Sequence, residues 1–140
     1  MTVASDDLKR VPLFAGLADR QLKKLAQQFR ERILLRGTTP VQEGTMSGIG
    51  FFVIADGEAS VSVGGKLVRT LGPGDHFGEV ALVNEAGRTA TVTANTDLRV
   101  LEIPFYDFRD FALANPDVMW ALLEHVVALL DRGEAQTVSG

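Results

Sequence analysis

With 140 residues, 46% of them hydrophobic and 23% charged, the chain is long enough for one globular domain and too short for two ordinary ones. Fourteen Lys and Arg stand against eighteen Asp and Glu, a formal net charge of −4, which argues against a nucleic-acid-binding surface. The lack of any cysteine excludes disulfides, thiolate nucleophiles and Cys-ligated zinc or iron–sulfur centres, and it fits a cytoplasmic protein.

The first residues, Met1 to Asp7, are polar and acidic, unlike a secretory signal. The most apolar stretch, Val118 to Leu130, is broken by Glu124 and His125 and is too short to span a bilayer. The expectation is a single domain over 1–140, with its core at about 8–132 and a frayed tail at 133–140.

In chain order, Leu22, Leu25, Ala26 and Phe29 recur at one face of a helix, with Asp19 placed as its N-cap. Arg30-Glu31-Arg32 leads into Ile33-Leu34-Leu35, which Gly37 stops. From Pro40 to Ile103 the pattern becomes that of short strands. Gly50 to Ala55 is apolar and partly aromatic, and Phe51-Phe52 read as roll core and edge. Asp56-Gly57 then signals a hairpin into Glu58 to Val63, where Ala59, Val61 and Val63 alternate with polar residues. Gly64-Gly65 is a second tight turn before Lys66 to Leu71. Ala90, Val92 and Ala94 alternate with threonines, and Asn95-Thr96-Asp97 turns the chain into Leu98 to Ile103. Short strands joined by tight turns predict a small antiparallel barrel or roll.

Pro104 ends the strands. Phe105 to Leu113 reads as a short helix, and Asn115-Pro116 starts another that runs to about Arg132. Its polar residues, Asp117, Glu124, His125, Asp131 and Arg132, form one narrow stripe, which reads His125 as solvated. The remaining apolar face is wider than the ~100° that packing on one core requires. The helix is therefore expected to bury one face on the roll and to offer a second face to something else.

The chemistry concentrates between Leu71 and Val92. Gly78-Glu79-Val80-Ala81-Leu82 reads as one helical turn after a Gly-rich loop, with backbone N–H groups suited to an anion such as phosphate. Gly78 permits close approach of a ligand to the backbone. The guanidinium of Arg88, at the start of the next strand, suits a phosphate oxygen. Glu79 is an acceptor suited to a sugar hydroxyl, in a charge-assisted bond worth roughly 1.5–3 kcal/mol.

Phe77-Gly78-Glu79-Val80-Ala81-Leu82 followed by Arg88-Thr89-Ala90-Thr91-Val92 resembles the phosphate-binding cassette of cyclic nucleotide-binding domains, the family of catabolite activator proteins and protein kinase A regulatory subunits. Val11 to Leu17 resembles the family's N-terminal helical segment. Gln42-Glu43-Gly44 and Phe51 to Glu58 resemble its early strands, and Leu98 to Ile103 with the final helices follow in the same order. The resemblance spans roughly Leu8 to Arg132. It implies an eight-stranded antiparallel β-roll with an N-terminal helix, C-terminal helices and a short helix in the cassette. It also implies that Glu79 accepts from the ribose 2′-hydroxyl and that Arg88 pairs with the cyclic phosphate. The N–H groups of Gly78, Val80, Ala81 and Ala90 would complete the cradle. A hydroxyl at Thr89 is compatible with cGMP and also occurs in cAMP binders, so the ligand is expected to be cAMP, with cGMP the alternative. Too few residues follow Arg132 for the helix-turn-helix of the activator proteins, so no nucleic-acid partner is expected.

Trp120 reads as a core or interface residue, with a lid over the base as its second role. His76 is a lone imidazole beside the cassette and carries no metal expectation; Glu43 and Asp56 are turn acids with no evident partner. Two His cannot build a cupin-like metal site, there is no Gly-x-Ser-x-Gly elbow, and the serines have no base partner. An enzyme, a cofactor and a membrane association are therefore not expected. The expected partners are cyclic nucleotide and, through the 116–132 helix, a second copy or an effector protein. A nucleotide-independent β-roll interaction module and a regulatory fragment of a larger protein are the alternatives.

Overall fold

Two apolar runs organise the molecule, and each separates two cores. The computed structural model describes residues 5–40, 50–78 and 90–131. Helices α1 (Ser5–Lys9) and α2 (Asp19–Ala26) flank a 3₁₀ turn at Pro12–Phe14. Strands β1 (Arg30–Leu34), β2 (Gly50–Asp56), β3 (Ala59–Val63), β4 (Lys66–Leu71), β5 (His76–Phe77), β6 (Thr91–Ala94) and β7 (Leu98–Pro104) follow, then helices α3 (Phe105–Ala114) and α4 (Pro116–Asp131). They build an antiparallel β-roll with helices at both ends. One sheet has the order β1-β7-β2-β5 and the other β4-β3-β6. Seven strands lie among the described residues, against the eight expected.

Side chains alternate across a strand, so β2 sends Phe52 and Ile54 into the roll and Phe51 and Val53 toward the helices. Strand β7 does the same, with Leu98 and Val100 inside and Leu101 and Ile103 outside. The roll is filled by Phe52, Ile54, Val61, Leu71, Phe77, Val92 and their neighbours. The helix-side core joins Leu8, Phe14, Leu22, Leu25 and Phe29 to Phe108, Val118 and Leu122. Strand β2 is an unbroken apolar run because it is covered on both faces.

Three expectations change. Asp56-Gly57 is not a hairpin, because β2 and β3 belong to different sheets. The dipeptide is instead a corner. Strand β2 stays on β7 through a register irregularity at Ile54 and Asp56, while β3 pairs with β4 and β6. The corner packs on the Asn95–Asp97 turn, where Glu58 N–H donates to Thr96 Oγ1 (3.0 Å) and Asn95 N–H donates to the Glu58 carbonyl (2.9 Å). By contrast, Gly64-Gly65 does close a hairpin, with Val63 opposite Lys66. The second change is at α2, whose N-cap is Ala18. Its N–H donates to Gln21 Oε1 (2.8 Å), while Asp19 is the first helical residue, where a carboxylate complements the helix dipole. Third, α2 ends at Ala26, so the buried Phe29 lies beyond it.

Gly57 has φ +105°, and a Cβ there would lie 2.5 Å from the Asp97 carbonyl oxygen and 2.8 Å from Leu98 Cδ2. Both the backbone sign and the space demand glycine. Gly57→Ala is expected to destabilise the domain by about 1–3 kcal/mol in urea unfolding. A change of only a few tenths of that would mean the corner and the Asn95–Asp97 turn can separate to admit the methyl group.

No helix among the described residues is long and apolar enough to cross a membrane.

Candidate functional site

The loop into the cassette is fixed before the cassette begins. Asp75 Oδ2 accepts from Gly72 N–H at 2.8 Å, and Asp75 N–H donates to the Gly72 carbonyl at 3.0 Å, closing a tight turn. Gly74 N–H donates to the Ile54 carbonyl, and Ile54 N–H donates to the Asp75 carbonyl, each at 2.9 Å. Gly74 has φ +90°, and its Cα packs so closely on the chain at Arg10 that a Cβ would meet that carbonyl oxygen at 2.9 Å. The turn is thereby held between β2 and the segment after α1.

Strand β5 has only two residues, and its register decides what each can do. Phe77 lies opposite Phe52, and the rings stack inside the roll at 4.8 Å. His76 lies opposite Val53 and so faces the helices. Gly78 follows at φ +96°, a backbone region that L side chains seldom adopt. At the far end of the cassette, Ala90 packs against the roll core and leads into β6, with Thr91 paired to Ser62. The two ends of the cassette are therefore anchored on different sheets, Gly78 after β5 of one and Ala90 before β6 of the other. Glu79, Val80, Ala81, Arg88 and Thr89, with the expected helical turn, lie outside the described residues. Glu43 lies outside them as well.

Helix α4 begins at Pro116, as expected, and is tied at its start. Gln21 Nε2 donates to Asn115 Oδ1 and Asn115 Nδ2 to the Phe111 carbonyl, both at 2.8 Å. Val118 and Leu122 bury one face in the helix-side core. The second apolar face is present and exposed: Trp120 is 64% exposed, with Leu123 and Val127 beside it on successive turns. Trp120 is thus no core residue of this chain. Leu113 and Tyr106 of α3 are also exposed.

Two further expectations are corrected. His125 is half-buried and not simply solvated, with its ring centroid 4.6 Å from that of His76. The two imidazoles border a cleft of about 370 Å³ that Arg69, Asp75 and Glu124 also line. Asp56, in turn, has a partner: it accepts from Arg99 Nε at 2.7 Å. Arg99 also reaches Asp7 of α1 at 3.4 Å, and Arg10 donates to the Ala55 carbonyl at 2.7 Å, so α1 is clamped onto the irregular end of β2. The hydrogen bond to Asp56 raises the Arg99 pKa against the opposing effect of burial, and Asp7 adds to the rise. Both contacts join residues far apart in sequence, and no local pattern announces them. Among the described residues, no cluster of three or more metal-ligating side chains occurs.

The model of the cyclic nucleotide-binding domain matches residues 31–115 of this chain. The chain is 42% identical, over 66% of its length, to a cAMP-dependent protein kinase regulatory subunit of Yarrowia lipolytica, of which it spans 25%. It is 39% identical, over 63% of its length, to a cGMP-dependent protein kinase of Eimeria tenella, of which it spans 9%. The fold superimposes on the crystal structure of the Thermus thermophilus catabolite activator protein with TM-score 0.77 and 25% identity, covering 90% of this chain and 61% of that one. The chain thus spans a quarter or less of these curated relatives.

Proposed function

Because the chain belongs to the cyclic nucleotide-binding domain family, we propose that it is a non-catalytic receptor module for a cyclic nucleotide, cAMP in the first place and cGMP as the alternative. In this reading Arg88 pairs with the cyclic phosphate and Glu79 accepts from the ribose 2′-hydroxyl. The N–H groups of Gly78, Val80, Ala81 and Ala90 surround the phosphate, and Thr89 bears on the choice of base. The observation that carries it is the cassette sequence placed between two anchored ends, with Gly78 at φ +96° after β5 and Ala90 on the roll core before β6. No cofactor takes part.

Ligand binding repositions the C-terminal helices, because a ligand with different affinity for two helix positions shifts their balance. Trp120 is the candidate lid over the base. The exposed stripe of Leu123 and Val127, with Trp120 when it does not cover the base, is the output face, for a second copy or an effector protein in the cytoplasm. That same stripe favours a second reading, a β-roll interaction module that works without nucleotide.

Isothermal titration calorimetry with cAMP and then cGMP separates the two. Saturable binding near one nucleotide per chain is expected, and the ratio of affinities sets the specificity. No heat and no thermal stabilisation with either nucleotide would sink the receptor reading and leave the helix face as the working surface.

A further inference from the structure

His76 and His125 come from distant parts of the chain and meet where the strand into the cassette meets the last helix. His76 is 8% exposed on the helix side of β5, two residues before Gly78. The His125 ring tilts 55° against it at a centroid distance of 4.6 Å. On its other side His76 lies 5.2 Å from the Phe51 ring, which stacks on Phe108 at 4.1 Å. A continuous row of rings therefore runs from α3 through β2 and β5 to α4, and its β5 member adjoins the cassette.

We propose that the His76–His125 contact is the joint through which the last helix and the cassette strand sense each other, and that this joint is proton-sensitive. Its structural part stands on the ring geometry; its effect on ligand affinity rests on the nucleotide reading. Two neutral imidazoles pack well, and so does an imidazolium against a neutral ring. Two imidazolium ions at this separation repel. Histidine is the side chain whose charge ordinarily changes between about pH 5 and pH 8. Among the described residues, the charged groups that line the cleft beside the pair are Arg69 of β4, Asp75 of the turn before β5 and Glu124 of α4. Arg69 adds to the positive charge, and the two carboxylates oppose it. Pro12 and Leu13 of the 3₁₀ turn, Ala121 of α4 and Phe51 of β2 contribute no charge. Acidification is expected to loosen α4 from β5 and so to weaken nucleotide binding.

The test uses Trp120, the one tryptophan of the chain, as a reporter carried by α4. Its emission is followed in the ligand-free full chain from about pH 8 to about pH 5. A transition is expected in the wild type. It should be absent in His125→Phe, which keeps a ring and removes the proton, and in His125→Gln, which serves if the first variant folds poorly. A flat wild-type profile, or the same transition in both variants, overturns the proposal. Calorimetry with cAMP supplies the second arm: affinity should fall about fivefold or more across that range in the wild type and stay within about twofold in His125→Phe. Binding that is equally strong across the range in the wild type overturns the coupling to the cassette. Absence of binding at every pH sinks the nucleotide reading, while the emission profile still decides the joint.

Discussion

Arg88→Leu is expected to lower cAMP affinity by roughly thirtyfold to several thousandfold while the ligand-free domain unfolds as the wild type does. Leucine retains much of the apolar stem and removes the guanidinium. In the proposed reading, a cyclic phosphate brought out of water then lacks its counter-charge, a loss of about 2–5 kcal/mol, and each 1.4 kcal/mol is a factor of about ten. The same substitution made at an ordinary surface arginine changes stability by about 0.5 kcal/mol or less. Calorimetry and a thermal melt on one preparation therefore separate the roles. Wild-type affinity would leave Arg88 an arginine with no part in binding the nucleotide. Loss of binding together with a lowered melting temperature would make it a structural residue of the roll. Glu79→Gln keeps an acceptor oxygen and removes the charge, so its effect on affinity should be smaller than that of Arg88→Leu, in the same direction.

What the sequence discloses about this fold is what local chemistry controls. The Gly64-Gly65 hairpin, the strand ends at Leu71 and Leu98 and the start of α4 at Pro116 each rest on neighbouring residues, and the structure places them there. Asp56-Gly57 carries the same local signal as a hairpin, yet the chain changes sheets there, because the choice between β7 and β3 as partners for β2 is made by residues forty positions away. The clamp of Arg99 on Asp56 and Asp7 and the contact between His76 and His125 are of this second kind. The cassette itself is legible as a motif, since its glycine, carboxylate and arginine sit at fixed spacing. Its setting is not legible from the motif: only the register of β5 on β2 shows that Phe77 fills the roll while His76 turns to the helices. The width of the apolar face on α4 did signal a surface beyond the core, and Trp120 belongs to that surface.

The joint between the roll and its helices depends most on one side chain, and its removal should have the largest effect on stability. Phe51 is fully buried, stacked on Phe108 at 4.1 Å with an interplanar angle of 2°, edge-on to Phe14 at 6.3 Å, and next to His76. It thus touches the 3₁₀ turn, α3 and β5 from the second residue of β2. Phe51→Ala removes the transfer energy of a phenyl ring and leaves a cavity among three other rings that are themselves fixed, which costs about 3–5 kcal/mol. For domains whose total stability is about 5–15 kcal/mol, that lowers the melting temperature by roughly 10 °C or more. The companion substitution Phe51→Leu preserves most of the volume and should cost about 1–2 kcal/mol. Combining Phe51→Ala with Phe108→Ala should destabilise by less than the sum of the two, since the second deletion enlarges a cavity that the first has already opened. Strict additivity would mean that the two rings act separately and that the helices are held to the roll elsewhere. Because the same ring supports His76, Phe51→Ala should also weaken nucleotide binding, whereas Arg88→Leu weakens binding alone; the pair of variants distinguishes the frame that carries the cassette from the cassette itself.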